Sequence, residues 1–154
     1  MCVLRCVNKE PAVFPVFTGV LKDNSMKEKK RIMIVDDEFE ILKLLRLYLE
    51  HSGYEPGNIL EAHGGEECVE MVESGLIPDL IVIDIMMPGL DGYRACGTLK
   101  SDPVHRRIKV VFYSALPEEE VKSKYRLYGA EGYILKGVAP EDFLGAIDGY
   151  LGIK

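Results

Sequence analysis

The 154-residue sequence has no run approaching the ~18 apolar residues that a membrane-spanning helix requires, and no membrane contact is expected. Its first 25 residues, MCVLRCVNKEPAVFPVFTGVLKDNS, lack the uninterrupted apolar centre and small-residue cleavage site of a secretory leader, being broken by Pro11, Pro15 and several charges. Cytoplasm is therefore the expected location. Cysteine is sparse: Cys2, Cys6, Cys68 and Cys96 form no CxxC pair, so reduced thiols are expected rather than disulfides or metal ligands. His51, His63 and His105 are scattered, without the HxxxH or HExxH spacing of zinc chemistry. A formal net charge of −6 argues against nucleic acid or an anionic membrane as the main partner. One local exception, KEKKR at 27–31, precedes the first apolar run and reads as a solvated strand entry. Internal repeats and low-complexity segments are absent.

What is present is alternation. After the extension, apolar runs and helical patterns follow one another five times in a chain long enough to bury one core. Strands are predicted at 31–35, 58–62, 80–83, 108–114 and 132–135. The first helix carries Ile41, Leu42, Leu45, Tyr48 and Leu49 at helical spacing and stops at Gly53; the second spans 66–74 with Val69 and Val72 inward. A third covers 93–100, ended by Pro103. The fourth is predicted to open at Pro117, with Glu118, Glu119 and Glu120 favourably placed in its first turn. The fifth opens at Pro140 and stripes Phe143, Leu144, Ile147 and Leu151.

Near-continuous apolar strands alternating with helices predict a doubly wound, five-stranded parallel sheet covered on both faces, a flavodoxin-like (βα)5 three-layer sandwich. Ligands in such folds sit beyond the carboxyl ends of the strands. Asp36 and Asp37 follow the first strand, Asp84 the third, Ser114 ends the fourth and Lys136 follows the fifth. Three carboxylates in one cleft repel each other unless a cation is present, and all-oxygen ligands select a hard ion such as Mg²⁺ or Mn²⁺. A lysine and a hydroxyl opposite the metal would complete a cage for a phosphoryl group, and Asp84 could accept one covalently.

Other strand-end acids fit less well. The second acid motif of a P-loop NTPase needs a GxxxxGK[ST] partner, which the sequence does not contain. A phosphatase of the haloacid type needs Asp-x-Asp where Asp36-Asp37-Glu38 stands, and a flavodoxin-like cofactor site would have its phosphate repelled by the adjacent carboxylates. Taken singly, Ser114 reads as a strand terminus, Tyr133 as a half-buried edge aromatic and Lys136 as a surface lysine. Asp84 has no such bland reading, because an unpaired carboxylate ending a buried strand is costly.

Together, IVDDE, IDIMMPGLDG, YSA and GYILK, in this order, resemble the receiver domain of two-component response regulators. The intervals of 47 residues from Asp37 to Asp84, 30 from Asp84 to Ser114 and 22 from Ser114 to Lys136 match that family. The resemblance covers about residues 30–151, which divides the chain into an N-terminal extension, 1–29, expected to be disordered or loosely docked, and a receiver domain, 30–154. It implies that Asp84 is the phosphoacceptor, that Asp36, Asp37, Asp84 and the backbone carbonyl of Met86 hold Mg²⁺ or Mn²⁺, and that Lys136 pairs with the phosphoryl oxygens. Ser114 and Tyr133 are the implied switch residues, and Met86 and Leu116 flank the path of an attacking water. The implied partners are a histidine kinase or histidine phosphotransfer protein and an unknown downstream protein, with no nucleic acid bound directly and a monomer or weak dimer as the assembly. The last helix is close to the chain end, so a stand-alone receiver is expected. It would catalyse its own phosphorylation and slow dephosphorylation without being a turnover enzyme, and would signal through its fourth helix, fifth strand and fifth helix, with Glu119, Lys122, Tyr133 and Asp142 on that surface. The rival expectation is a partner-binding module of the same fold that works without phosphorylation.

One departure stands out. The family places proline after the lysine, joined by a cis bond, whereas Gly137 follows Lys136 here. Cis before glycine costs about 2.5–4 kcal/mol, so a trans bond, or a looser loop with more than one conformation around Lys136, is expected. Met26 is followed by KEKKRIMIVDD, a natural start for the domain, so residues 1–25 are expected to add no core contacts.

Overall fold

Aliphatic and β-branched residues dominate the strands in the computed structural model, which describes residues 24–153. β1 (Ile32–Val35), β2 (Ile59–Ala62), β3 (Leu80–Ile83), β4 (Lys109–Ser114) and β5 (Gly132–Leu135) form one sheet in the order β2-β1-β3-β4-β5. Every pairing is parallel. The helices are α1 (Phe39–His51), α2 (Gly65–Glu73), α3 (Gly92–Ser101), α4 (Glu118–Lys124) and α5 (Pro140–Leu151). The expected doubly wound α/β architecture is the one found.

Alternation along each strand divides the core in two. Ile32, Ile34, Leu80, Val82 and Val111 face α1 and α5, meeting Leu42, Leu45, Phe143 and Ile147. Met33, Val35, Ile81, Ile83 and Phe112 face α2, α3 and α4, meeting Cys68, Val72, Cys96 and Val121. Cys68 and Cys96 are free, buried thiols, as the sequence suggests. Because the chain runs from β1 out to β2 and then back across to β3, the strand order reverses between β1 and β3, the place where such sheets open a crevice.

Three local features differ from the sequence reading or add to it. Pro117 caps α4 in an extended conformation (φ −55°, ψ 139°) rather than opening it, and its carbonyl accepts from the amides of Glu120 and Val121 at 3.0 and 3.3 Å. α4 is only seven residues long and continues as a 3₁₀ turn over Tyr125–Tyr128, ended by Gly129 at φ +87°. Residues 24–29, assigned to the extension on the sequence, contain a helical turn, Ser25–Glu28, whose Lys27 is tied to the domain. Lys27 Nζ lies 3.0 Å from Asp148 Oδ2, donates to the Ser52 carbonyl at 3.2 Å and sits 5.1 Å from the centre of the Tyr54 ring. The expectation for residues 1–23 lies outside the described residues.

Gly92, at the start of α3, marks the tightest approach near the end of β3. A Cβ there would stand 2.2 Å from the Asp84 carbonyl oxygen and 2.8 Å from the Ile85 Cα, both backbone atoms that cannot step aside. Gly145, inside α5, has nothing within 4 Å of the same position. Chemical denaturation should therefore separate the two: Gly92→Ala is expected to lose about 2–3 kcal/mol or more through overpacking, whereas Gly145→Ala should gain roughly 0.5–1 kcal/mol from helix propensity.

Candidate functional site

The crevice at the β1/β3 reversal is lined by the ends of both strands. Asp36 continues the sheet, its amide donating to the Ala62 carbonyl at 3.2 Å, and the Asp84 amide donates to the Val35 carbonyl at 2.9 Å. The backbone therefore fixes where both carboxylates start. Asp36 and Asp84 are buried while Asp37 is exposed, and one ligand oxygen from each lies within 4.8 Å of the others. Asp36 Oδ1 accepts from the Glu38 amide at 2.9 Å, which orients its second oxygen toward the crevice centre.

Lys136 reaches in from the end of β5. Its Nζ lies 2.9 Å from Asp36 Oδ2 and 3.5 Å from Asp84 Oδ1, with the Tyr113 ring centre 5.6 Å away. The sequence departure at Gly137 does not displace it. Gly137 takes φ +98°, among the described residues no peptide bond is cis, and the Lys136 amide donates to the Ser114 carbonyl at 2.8 Å. Glycine enters that left-handed region without a Cβ clash. Ser114 is buried, and its Oγ accepts from the Leu116 amide at 3.0 Å. Tyr133 is half-buried on β5 and points away from the acids; its hydroxyl donates to Glu118 Oε1 at 3.0 Å.

Electrostatics single out Asp84. Burial, then repulsion from Asp36, raise its pKa to about 6, against the opposing pull of Lys136 and a backbone hydrogen bond from Ile85. Burial works against the charged form of Lys136 but is outweighed by its hydrogen bond to Asp36 and the charges of Asp84 and Asp36, so its pKa is raised and it stays cationic at neutral pH. Three carboxylates facing one ammonium leave an excess of negative charge. A cluster of oxygen donors this close suits a hard divalent cation, which needs only one or two carboxylates besides waters and phosphate oxygens.

The sequence residues Asp36, Asp37, Asp84 and Lys136 thus converge, Ser114 lies on the strand next to Lys136, and Tyr133 stands apart. Met86, two residues beyond Asp84, has a side chain exposed to 67%. Other contributors escaped the sequence. Glu66, the first residue of the predicted second helix, accepts from the Leu90 amide at 2.7 Å and so braces the loop after Asp84. Glu118, explained on the sequence by its helix position alone, also holds Tyr133. Tyr113 read only as a strand residue. Each depends on pairing between distant segments, for which one sequence carries no local signal.

Comparison with known proteins agrees with this geometry. A model of the response regulator receiver domain matches residues 32–148. The alkaline phosphatase synthesis transcriptional regulatory protein PhoP of Bacillus subtilis is 36% identical over 113 residues, covering 73% of this chain and 45% of that protein. The transcriptional regulatory protein YvrH of the same organism is 33% identical over 124 residues, covering 80% and 50%. The chain spans about half the length of the curated relatives it matches. Among solved structures, a putative response regulator from Chloroflexus aurantiacus superposes with a TM-score of 0.73 at 27% identity, covering 80% of this chain and 98% of that one. The receiver domain of a signal transduction histidine kinase from Syntrophus aciditrophicus gives 0.71 at 29%, covering 80% and 90%. With the family model spanning most of the described residues and the strand-end acids in one crevice, the chain belongs to the receiver-domain family of two-component response regulators.

Proposed function

We propose that Asp84 is a phosphoacceptor and that its phosphorylation switches a surface read by another protein. The observation that carries this is the buried Asp84 carboxylate, ending β3 within reach of both Asp36 and Lys136. An Asp84 oxygen attacks the phosphorus of a phosphohistidine on a kinase or phosphotransfer protein. The P–N bond breaks, its electron pair stays on the imidazole nitrogen, and that nitrogen takes up a proton. Mg²⁺ or Mn²⁺, held by Asp36, Asp37, Asp84 and the Met86 carbonyl, would neutralise charge on the transferred oxygens. Lys136 exchanges its contact with Asp36 for a phosphoryl oxygen. Ser114 accepts from Leu116 and keeps its own hydrogen to donate to the phosphoryl group.

Readout follows from what the acids release. Tyr133 is held outward by Glu118, at the start of α4. Drawing Ser114 and Lys136 toward a phosphoryl group pulls on the ends of β4 and β5, and a shift of α4 loosens the Glu118 contact. The surface of α4, β5 and α5, including Glu119, Lys122, Tyr133 and Asp142, is the face offered to the downstream protein. The relatives' names describe transcriptional regulators, which supports gene control as the process this switch serves. The chain is cytoplasmic and is not a turnover enzyme in this reading.

Incubation with acetyl phosphate and Mg²⁺ should add one phosphate to the intact mass of the wild type and none to Asp84→Asn. EDTA should abolish the gain. Equal uptake by the variant would show that Asp84 is not the acceptor, whereas no uptake by the wild type would leave a phosphorylation-independent binding module as the better account.

Stability against pH provides a second check. Asp84 titrates at about 6 in the fold against an ordinary 3.8, so between these values the folded protein binds more protons than the unfolded chain. Stability therefore falls as pH rises from about 4 to about 6, and the full penalty is present above that range. In EDTA, Asp84→Asn should be more stable than wild type by about 3 kcal/mol at most at pH near 7.5, with the difference shrinking to nothing below about pH 4. A destabilised variant at neutral pH would contradict the burial argument.

The lifetime of the phosphoryl group is the third. Met86 and Leu116 are apolar and cannot orient an in-line water by hydrogen bonding, so dephosphorylation is expected to be slow. Met86→Asn with Leu116→Glu should shorten the half-life measured by loss of phosphorylated mass while leaving Mg²⁺ affinity unchanged, since Met86 would ligate through its backbone. No acceleration would remove the apolar flanks as the controlling feature.

A further inference from the structure

The basic run at 27–31 has no part in the acidic crevice, yet the fold gives it company. β1, β3 and β4 are parallel neighbours, so their amino-terminal ends lie side by side at the pole opposite Asp84. A cavity of about 290 Å³ opens there, and its lining includes Lys30, Arg107 and Lys109. Buried Pro78, Ile108 and Leu151 supply apolar wall. Among the described residues the only acid in the lining is Asp79, whose Oδ2 is already taken by the Arg31 amide at 2.8 Å. Lys109 Nζ donates to the Tyr150 carbonyl at 2.6 Å, while the side chains of Lys30 and Arg107 have no partner among the described residues. Exposed Lys29 and Arg106 flank them in sequence.

We propose that this pole is a second ligand site, for a nucleoside polyphosphate. Cations gathered at one mouth, in a chain whose net charge is −6, repel one another and gain from a multivalent anion. Arginine suits phosphate because its planar fork donates two parallel hydrogen bonds, and lysine adds a point charge. The apolar wall distinguishes the site from one for a bare anion, since it offers a surface to a ring. The cavity is near the lower end of the ~300–1,000 Å³ range of small-molecule sites, a size for one mononucleotide and not for a polymer track. The acidic crevice plays no part, so the proposal stands or falls apart from phosphorylation.

The test is calorimetric titration of the full chain in EDTA, which prevents metal from carrying phosphates to the acids. ATP, GTP, inorganic tripolyphosphate and adenosine are the probes. Saturable binding of ATP or GTP is expected, with tripolyphosphate weaker by about tenfold and adenosine silent. Lys30→Ala combined with Arg107→Ala should weaken the nucleotide by at least about tenfold, since each removes a charge-assisted contact. Asp84→Asn should leave it unchanged. Both substituted side chains lie outside the core, and an unchanged melting curve will verify that the variant is folded. Arg107→Glu alone, expected to weaken binding further than Arg107→Ala, guards against compensation by neighbouring cations. Absence of saturable ATP and GTP binding, or binding that survives the double substitution, would overturn the proposal. Equal affinity for tripolyphosphate would overturn the nucleoside assignment, and a DNA duplex that binds where nucleotides do not would reassign the face to a polymer.

Discussion

Two buried carboxylates whose starting points are fixed by the sheet set the terms for everything around them. Asp36 and Asp84 follow adjacent parallel strands, and the backbone hydrogen bonds of Asp36 to Ala62 and of Asp84 to Val35 prevent either from retreating. Mutual repulsion at short range in a poorly solvated crevice would expel one of them were no cation near. Lys136 supplies that cation, nearer to Asp36 than to Asp84. The unequal sharing matters, because it leaves Asp84 the less compensated acid and the one whose charged form gains most from an arriving divalent ion.

Holding that arrangement needs rigid surroundings, and close backbone approaches contribute to them. Gly92 lets α3 start against the Asp84 carbonyl. Gly65 does the same for α2, where a Cβ would stand 2.1 Å from the Leu90 carbonyl oxygen. Gly89, at φ +77°, turns the intervening loop, and Glu66 accepts the Leu90 amide. The loop after the acceptor is thus clamped from α2 and α3 together. Met86, whose side chain protrudes from it, is left free to meet a partner or a ligand without loosening the acids.

Much of this is legible in the sequence alone. Runs such as Leu80–Ile83 have too few polar residues for a half-exposed strand, so a doubly covered parallel sheet was the only economical reading, and an acid at the end of such a run had to be functional or ruinous. Contacts set by chain reversals were not legible. Nothing near Glu118 signals that Tyr133, 15 residues on, will donate to it, and nothing near Lys27 signals Asp148. Pro117 misled for a local reason: proline at a helix start fits the cap as well as the first turn, and its ψ of 139° decided for the cap. Gly137 was legible as a departure. Its effect was not, because whether glycine loosens Lys136 depends on the Ser114 carbonyl that receives the Lys136 amide.

The same parallel topology produces a charge asymmetry that the net charge conceals. All five strands point one way, so residues entering strands collect at one pole and residues leaving them at the other. Here the exits carry Asp36, Asp37 and Asp84, and the entries carry Lys30, Arg31, Arg107 and Lys109 against Asp79 and Glu131. The sheet and its apolar layers separate the two groups, and screening within about a Debye length of 8–10 Å further decouples them at physiological salt. The acids therefore gain little from the bases at the far pole, and must be compensated where they stand. Among the described residues Lys136 is the base that pairs with these acids, which is why losing it would affect the crevice more than losing any lysine of the opposite pole.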